Sequence, residues 1–165
     1  PASPPITADW AVPVHVTCVN PSLSYVPEAA EMMAEWWDAE RRTTTVYYLG
    51  DHDPSGRDID RNLESRLREF APEVDLTFER IAVIEQQIAE WQLPTRPTKK
   101  ADTRSAGFVG DSVELDAIEP DRLRNLVEAA ILQHIDHHHL ARIRQIEVAE
   151  RESIRQFAAA MHGKR

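Results

Sequence analysis

At 165 residues the chain has room for one ordinary domain with a genuine core, and its mixture of charged and apolar residues is that of a globular protein. No apolar run approaches the ~20 residues of a membrane span, and a lone cysteine, Cys18, excludes an internal disulfide and a cysteine-built zinc site. A formal net charge of −9 argues against holding nucleic acid by bulk electrostatics, leaving a local basic patch or charge-screening metal ions as routes to a polyanion.

The first thirteen residues, PASPPITADWAVP, are proline-rich and lack periodicity, which predicts a flexible tail. No signal-peptide pattern is present, and a cytoplasmic setting is expected. The chain begins with proline, so an excerpt of a longer protein is expected. Val14–Val19 is β-branched and predicts a strand stopped by Asn20-Pro21. Ser24–Arg42 predicts a helix with Pro27 and Glu28 in its first turn and an apolar face of Ala29, Met32, Met33, Trp36 and Trp37. Thr43–Leu49 is short and apolar, as a central strand would be. Gly56–Phe70 carries Ile59, Leu63, Leu67 and Phe70 at helical steps, with Arg57, Arg61, Arg66 and Arg68 on its remaining surface.

Val74–Val83 predicts a third strand with Leu76, Phe78 and Ile81 facing in, and Glu85–Trp91 a short helix. Residues 94–112 hold two prolines, two glycines and small polar residues, the composition of a long loop, and such loops in compact domains are usually functional or mobile. A helix opens at Glu119-Pro120-Asp121. Asp136 predicts the cap of a final, charged and weakly amphipathic helix over 137–161, with Leu140, Ile143, Ile146, Ile154, Phe157 and Met161 as its apolar positions. Alternating strands and helices followed by helices imply an α/β fold: a small parallel, Rossmann-like sheet flanked by helices, with a helical C-terminal extension. The expected divisions are 1–13 as tail, 14–135 as the α/β domain and 136–165 as the C-terminal helix.

The stretch Tyr47 to Gly56 carries the chemistry. A strand delivers Asp51 and Asp53 at spacing two, so both carboxylates can point the same way with His52 opposite them. Paired carboxylates repel unless a cation lies between them, and hard cations such as Mg²⁺ are held by such pairs. Strand C-termini are also where parallel α/β sheets bind ligands. The structural alternative is a turn, since Asp-Pro and Pro-Ser-Gly are turn formers and Asp often caps a following helix. Asp58 and Asp60 follow on the helix, as first-turn acids or, for Asp58, as a support to the site.

GDHDPSG (50–56) after an apolar strand resembles the Asp-x-Asp motif of Toprim domains, closest to the form in the topoisomerase VI A subunit and its relatives. The resemblance continues through FERIAVIEQQIAEWQLPTRPTKKADTR (78–104) and VELDAIEPDRLRNLVEAAI (113–131), blocks similar to Toprim-containing proteins of actinobacteria and their phages. It implies a Toprim fold, Mg²⁺ (or Mn²⁺) as cofactor, DNA as partner and phosphodiester cleavage, topoisomerase- or nuclease-like. It also implies a homodimer and, in the topoisomerase-type relatives, a separate winged-helix domain that supplies the attacking tyrosine; here that domain would lie upstream in the parent protein. Asp51 and Asp53 match the family's two catalytic, metal-binding aspartates. The family's glutamate, at the end of its first strand, has no match. Val14–Val19 looks like the family's second strand; were it the first, an asparagine would stand near the glutamate position.

Glu114 and Asp116 form a second acidic pair. If Val113–Ile118 is a strand, Val113, Leu115 and Ala117 face one side and both acids the other, as further metal ligands or as the wet face of an edge strand. Arg96, Lys99, Lys100 and Arg104 concentrate positive charge in the long loop, either solvated or poised to hold phosphate. Lys100, Asp102 and Arg104 match a recurring Lys-x-Asp-x-Arg of the resembling proteins. Lys99, Lys100, Arg104 and His52 are the candidate DNA contacts. His134, His137, His138 and His139 invite a zinc reading that would need unbroken helix through Asp136 and a third ligand; a polar helix junction explains them more simply. Trp36, Trp37 and Trp91 fit core or part-buried surface positions and not base-stacking platforms, and Tyr47 and Tyr48 lie inside a strand, where neither suits a nucleophile.

Two functional classes follow. One is a Mg²⁺-binding Toprim domain for DNA cleavage, completed elsewhere by a glutamate and a nucleophile. The other is a catalytically degenerate module serving DNA or protein binding. A phosphatase- or response-regulator-like use of Asp51 as nucleophile is a weaker third.

Overall fold

A computed structural model describes residues 6–16, 25–98, 108 and 110–162. In chain order these form a one-turn helix α1 (Ile6–Asp9), α2 (Tyr25–Glu40), strand β1 (Thr44–Leu49), α3 (Pro54–Phe70), β2 (Leu76–Ala82), α4 (Glu85–Trp91), α5 (Pro120–Leu132) and α6 (His137–His162). The protein is a mixed α/β structure with a small two-stranded parallel sheet flanked by helices. Contacts divide the chain into two compact units, residues 1–127 and 128–165.

Two strands stand among the described residues where three were expected. Val14 to Val16 joins no ladder, and Val14 and Val16 are exposed, so their β-branched side chains find no pleated surface to pack on. Residues 17–19, with Cys18, lie outside the described residues, as does Asn20-Pro21. The tail is not wholly irregular, since α1 forms within it.

β1 and β2 are parallel neighbours and α3 is the crossover that such a pair requires. Their register runs from Thr44↔Leu76 to Tyr48↔Arg80 and then jumps to Leu49↔Ala82. One step on β1 thus answers two on β2, leaving Ile81 as an extra residue, and such irregularities bend a strand and re-aim side chains.

The main core lies where α2 and α3 pack beside the sheet. On α2 the buried set is Val26, Ala29, Ala30 and Met33, a helical stripe at steps of three and four. Leu63 and Leu67 of α3, Tyr48 of β1 and Leu76 of β2 meet it, with Ile59 and Phe78 packed alongside. Trp37 packs on this core, whereas Trp36 and Phe70 sit at the edge of their stripes and remain exposed. A second cluster joins Ala82 and Val83 at the end of β2 to Leu93, Val113 and Ile118, with Trp91, Leu115 and Leu123 against it. Gln87 ties α4 to β2: its Nε2 donates to the Ile81 carbonyl at 2.7 Å, and its Oε1 accepts from the Ile84 N–H at 3.1 Å.

In the second unit, α6 begins where expected. The Asp136 carboxylate accepts from the His138 N–H at 2.9 Å. Its apolar positions are not buried: Ile143, Ile146, Ile154 and Phe157 are all exposed. No helix of the described residues is long and apolar enough to cross a membrane.

Candidate functional site

The segment after β1 changes partner partway along. Gly50 still pairs with β2: its N–H donates to the Ala82 carbonyl and its carbonyl accepts from the Val83 N–H, both at 2.8 Å. Two residues on, His52 pairs with Val113 instead, in an antiparallel bridge with N–H to carbonyl distances of 2.7 and 3.0 Å. Asp51 sits between these two pairings, at the C-terminal end of β1. Burial alternates as extended chain requires: Asp51 is exposed, His52 buried and Asp53 half-buried.

Asp51 is held at both ends. Its Oδ1 accepts from the Leu115 N–H at 2.8 Å. Its carbonyl oxygen lies so close to the first turn of α3 that a Cβ on Gly56 would overlap it, which is why glycine stands there. Asp53 takes the capping role that its Asp-Pro context allowed. It is the N-cap of α3, with extended backbone, its Oδ1 accepting from the Gly56 N–H at 2.6 Å and Pro54 following at the start of the helix.

Asp51, Glu114 and Asp116 line one open cleft of about 530 Å³, with Leu115, Ile118, Pro120 and Leu123 as its apolar walls. Val113–Ile118 is not a strand. Val113 makes the bridge to His52, and Leu115–Ala117 closes into a 3-10 turn. Both acids are nonetheless exposed while Val113 is buried. Arg96 and Ser112 pair across the base of the long loop at 2.7 and 2.8 Å. That pairing carries Arg96 to Glu114, where Nη1 meets Oε1 at 2.5 Å. Lys99, Lys100, Asp102 and Arg104 lie outside the described residues.

Comparison with family models, curated proteins and solved structures finds no match. The chemistry therefore rests on the residues themselves.

His52, a candidate phosphate contact, is 3 % exposed and absent from the cleft lining, the position of a packed residue. It faces Phe108 with ring centroids 5.2 Å apart, and its Nδ1 has no partner among the described residues. Burial pushes its pKa down, reinforced by Arg57 and Arg80 and opposed by Glu85 and a hydrogen bond to the Val83 backbone, and the lowered pKa favours the neutral imidazole. The histidine series near α6 is split by the helix start: His134 lies in the turn before Asp136, while His137 and His138 open the helix, so His134 and His138 do not share one helical face. The side chain of His139 lies outside the described residues.

The residue that sequence reasoning missed is Arg80. Its side chain is 8 % exposed and its Nε donates to Asp60 Oδ2 at 2.6 Å, Asp60 being 14 % exposed. Nη1 reaches the carbonyls of Gly50 at 2.9 Å, Asp51 and Val83 at 3.2 Å and Ala82 at 3.5 Å, and Nη2 that of Gly56 at 3.0 Å. The guanidinium also lies over the Tyr48 ring, 5.0 Å from its centroid. Asp60 is thus a largely covered partner of Arg80, not a solvated first-turn acid, whereas Asp58 pairs with Arg61 at the surface. A signal existed: strict alternation along β2 puts Arg80 on the face of Leu76 and Phe78, and a cation there needs partners.

Proposed function

We propose that this chain is a Mg²⁺-binding, Toprim-like domain acting on the phosphodiesters of DNA, with Asp51 as its central ligand and Asp53, Glu114 and Asp116 as the further acids. The observation that carries the reading is that Asp51, leaving the C-terminal end of a parallel strand, lines one open cleft with Glu114 and Asp116. Carboxylate oxygens are hard donors and suit Mg²⁺ or Mn²⁺ in kind. Among the described residues no three His, Cys, Asp or Glu side chains form a group that could hold a metal ion by themselves. A cation here would keep most of its water and take phosphate oxygens from the substrate, the usual habit of Mg²⁺. When bound it supplies charge neutralisation and polarisation of the phosphate.

The chain's own residues do the holding. The Leu115 N–H fixes one oxygen of Asp51, and the close approach of Gly56 fixes its backbone. A net charge of −9 repels DNA, so DNA binding should depend on the cation. Topoisomerase-like and nuclease-like chemistry differ in the nucleophile. Tyr48 is buried in the core, so the first would need a tyrosine from elsewhere. A second reading, a binding module without turnover, draws on two observations: the Asp53 carboxylate is engaged in capping α3, and Glu114 is paired with Arg96.

Titration with Mn²⁺, read by the loss of its free-ion electron paramagnetic resonance signal, tests the site. Wild type should bind, and Asp51→Asn and Glu114→Gln should each weaken binding about ten-fold or more. Failure of wild type to bind, or equal binding by all three, overturns the cation site. DNA anisotropy with Mg²⁺ and with EDTA then separates the readings: binding lost in EDTA supports the metal-dependent domain, and binding retained supports the module.

A further inference from the structure

We propose that Arg80 is the positioning residue of the Asp51 cleft: by gripping the carbonyls of Gly50, Asp51, Gly56 and Val83 at once, it fixes the turn from which Asp51 and Asp53 project. This rests on the cation reading of that cleft but concerns a residue outside it.

A guanidinium has five N–H groups in a rigid plane, one on Nε and two on each Nη. In Arg80, Nε is committed to Asp60, and Nη2 serves Gly56. The two hydrogens of Nη1 are shared among four carbonyls, of which Gly50 is nearest. These oxygens come from three separate segments: the end of β1, the first turn of α3 and the end of β2. One side chain therefore closes the angle between strand and helix across which Asp51, His52 and Asp53 are strung. The irregularity at Ile81 lies next to Arg80, where β2 departs from simple register with β1.

Stability alone does not call for this arrangement. Replacing a buried ion pair with apolar residues of similar volume is often neutral or stabilising. Apolar residues could fill the space between α3 and β2, but they could not hold four carbonyls in fixed directions. Lysine would keep the charge and lose the planar fork. What the arginine supplies, beyond packing, is a single orientation of the turn. On the outer side, that orientation is read by the hydrogen bond from the Leu115 N–H to Asp51 and by that from the Gly56 N–H to Asp53.

The test uses the full chain with Arg80→Lys and the double variant Arg80→Met/Asp60→Leu. Amide hydrogen exchange by nuclear magnetic resonance follows Leu115 and Gly56 against α2 core amides, and Mn²⁺ titration follows the site. In both variants the α2 amides should keep wild-type protection. The Leu115 and Gly56 amides should exchange at rates approaching those of exposed amides, and Mn²⁺ affinity should fall about ten-fold or more. If the double variant fails to fold, Arg80→Lys decides alone. Wild-type protection of Leu115 and Gly56 in a folded variant overturns the positioning role. If wild type itself takes up no Mn²⁺, the cation reading fails, and the exchange rates still decide what Arg80 does.

Discussion

The turn from Gly50 to Gly56 has two unlike sides. Its inner side is closed: His52 is buried, Arg80 and Asp60 are almost wholly covered, and Gly56 is pressed against the Asp51 carbonyl. Its outer side is open: Asp51, Glu114 and Asp116 line a cleft, and Glu114 is paired with an exposed arginine. On the inner side Arg80 is spent on Asp60 and on the protein's own carbonyls, where a low dielectric makes each hydrogen bond costly to lose. Those on the outer side keep their charge toward water, where a ligand can claim it. Ligand sites work when reactive groups are mounted on a rigid support, and here the two lie one residue apart in sequence.

The inner side should break first and hardest. Gly56→Ala sets two effects against each other. Alanine is better than glycine inside a helix by about 1 kcal/mol. The added Cβ, however, would overlap a backbone oxygen that cannot swing aside, and such overpacking costs about 1–3 kcal/mol. The overlap should win, lowering urea stability and Mn²⁺ affinity together. A variant more stable than wild type would mean that the first turn of α3 is looser than the close contact implies.

Much of this arrangement was legible in the sequence, and the reasons for the failures are physical. Thr44–Leu49, Glu85–Trp91 and the crossover helix between the strands were readable because their patterns are local and strong. The capping alternative for Asp53 was readable from Asp-Pro alone. Val14–Val16 was not, because β-branching reports fitness for a sheet and not the presence of a partner strand. Trp36 and Phe70 were assigned to apolar helix faces yet stand exposed, because helical phase gives the centre of a stripe better than its edges. The pairing of Arg80 with Asp60 was out of reach, since it depends on how α3 lies across β2, twenty residues apart in the chain. The shared cleft of Asp51, Glu114 and Asp116 depends likewise on the bridge between His52 and Val113. Acidic pairs at spacing two suggested the participants without saying that they meet.

Asp53 lies on the border of the two sides, so it can be made to choose. Asp53→Ala removes the cap of α3 and should cost ~1 kcal/mol. Asp53→Asn keeps an acceptor for the Gly56 N–H and should leave stability within a few tenths of a kcal/mol of wild type, roughly the spread among good caps. Urea denaturation measures both. If the carboxylate also faces a cation, Mn²⁺ affinity falls in the asparagine variant as well as in the alanine one. Unchanged affinity in Asp53→Asn would assign Asp53 to the inner side alone.

The smallest effect on stability belongs to the outermost contact. The side chains of Arg96 and Glu114 are 73 % and 46 % exposed, and such pairs contribute about 0–1 kcal/mol. Arg96→Ala should therefore leave the urea midpoint nearly unchanged. Its effect on the cleft should be larger and of opposite sign, because removing a cation beside Glu114 frees that carboxylate and lifts a repulsion. Charges a few ångströms apart in water interact by about 1 kcal/mol, so Mn²⁺ affinity should rise on the order of a few-fold. A fall instead would reverse the reading of this edge. It would mean that Arg96, and not Glu114, is the group facing the ligand, and that the outer side is built to receive an anion.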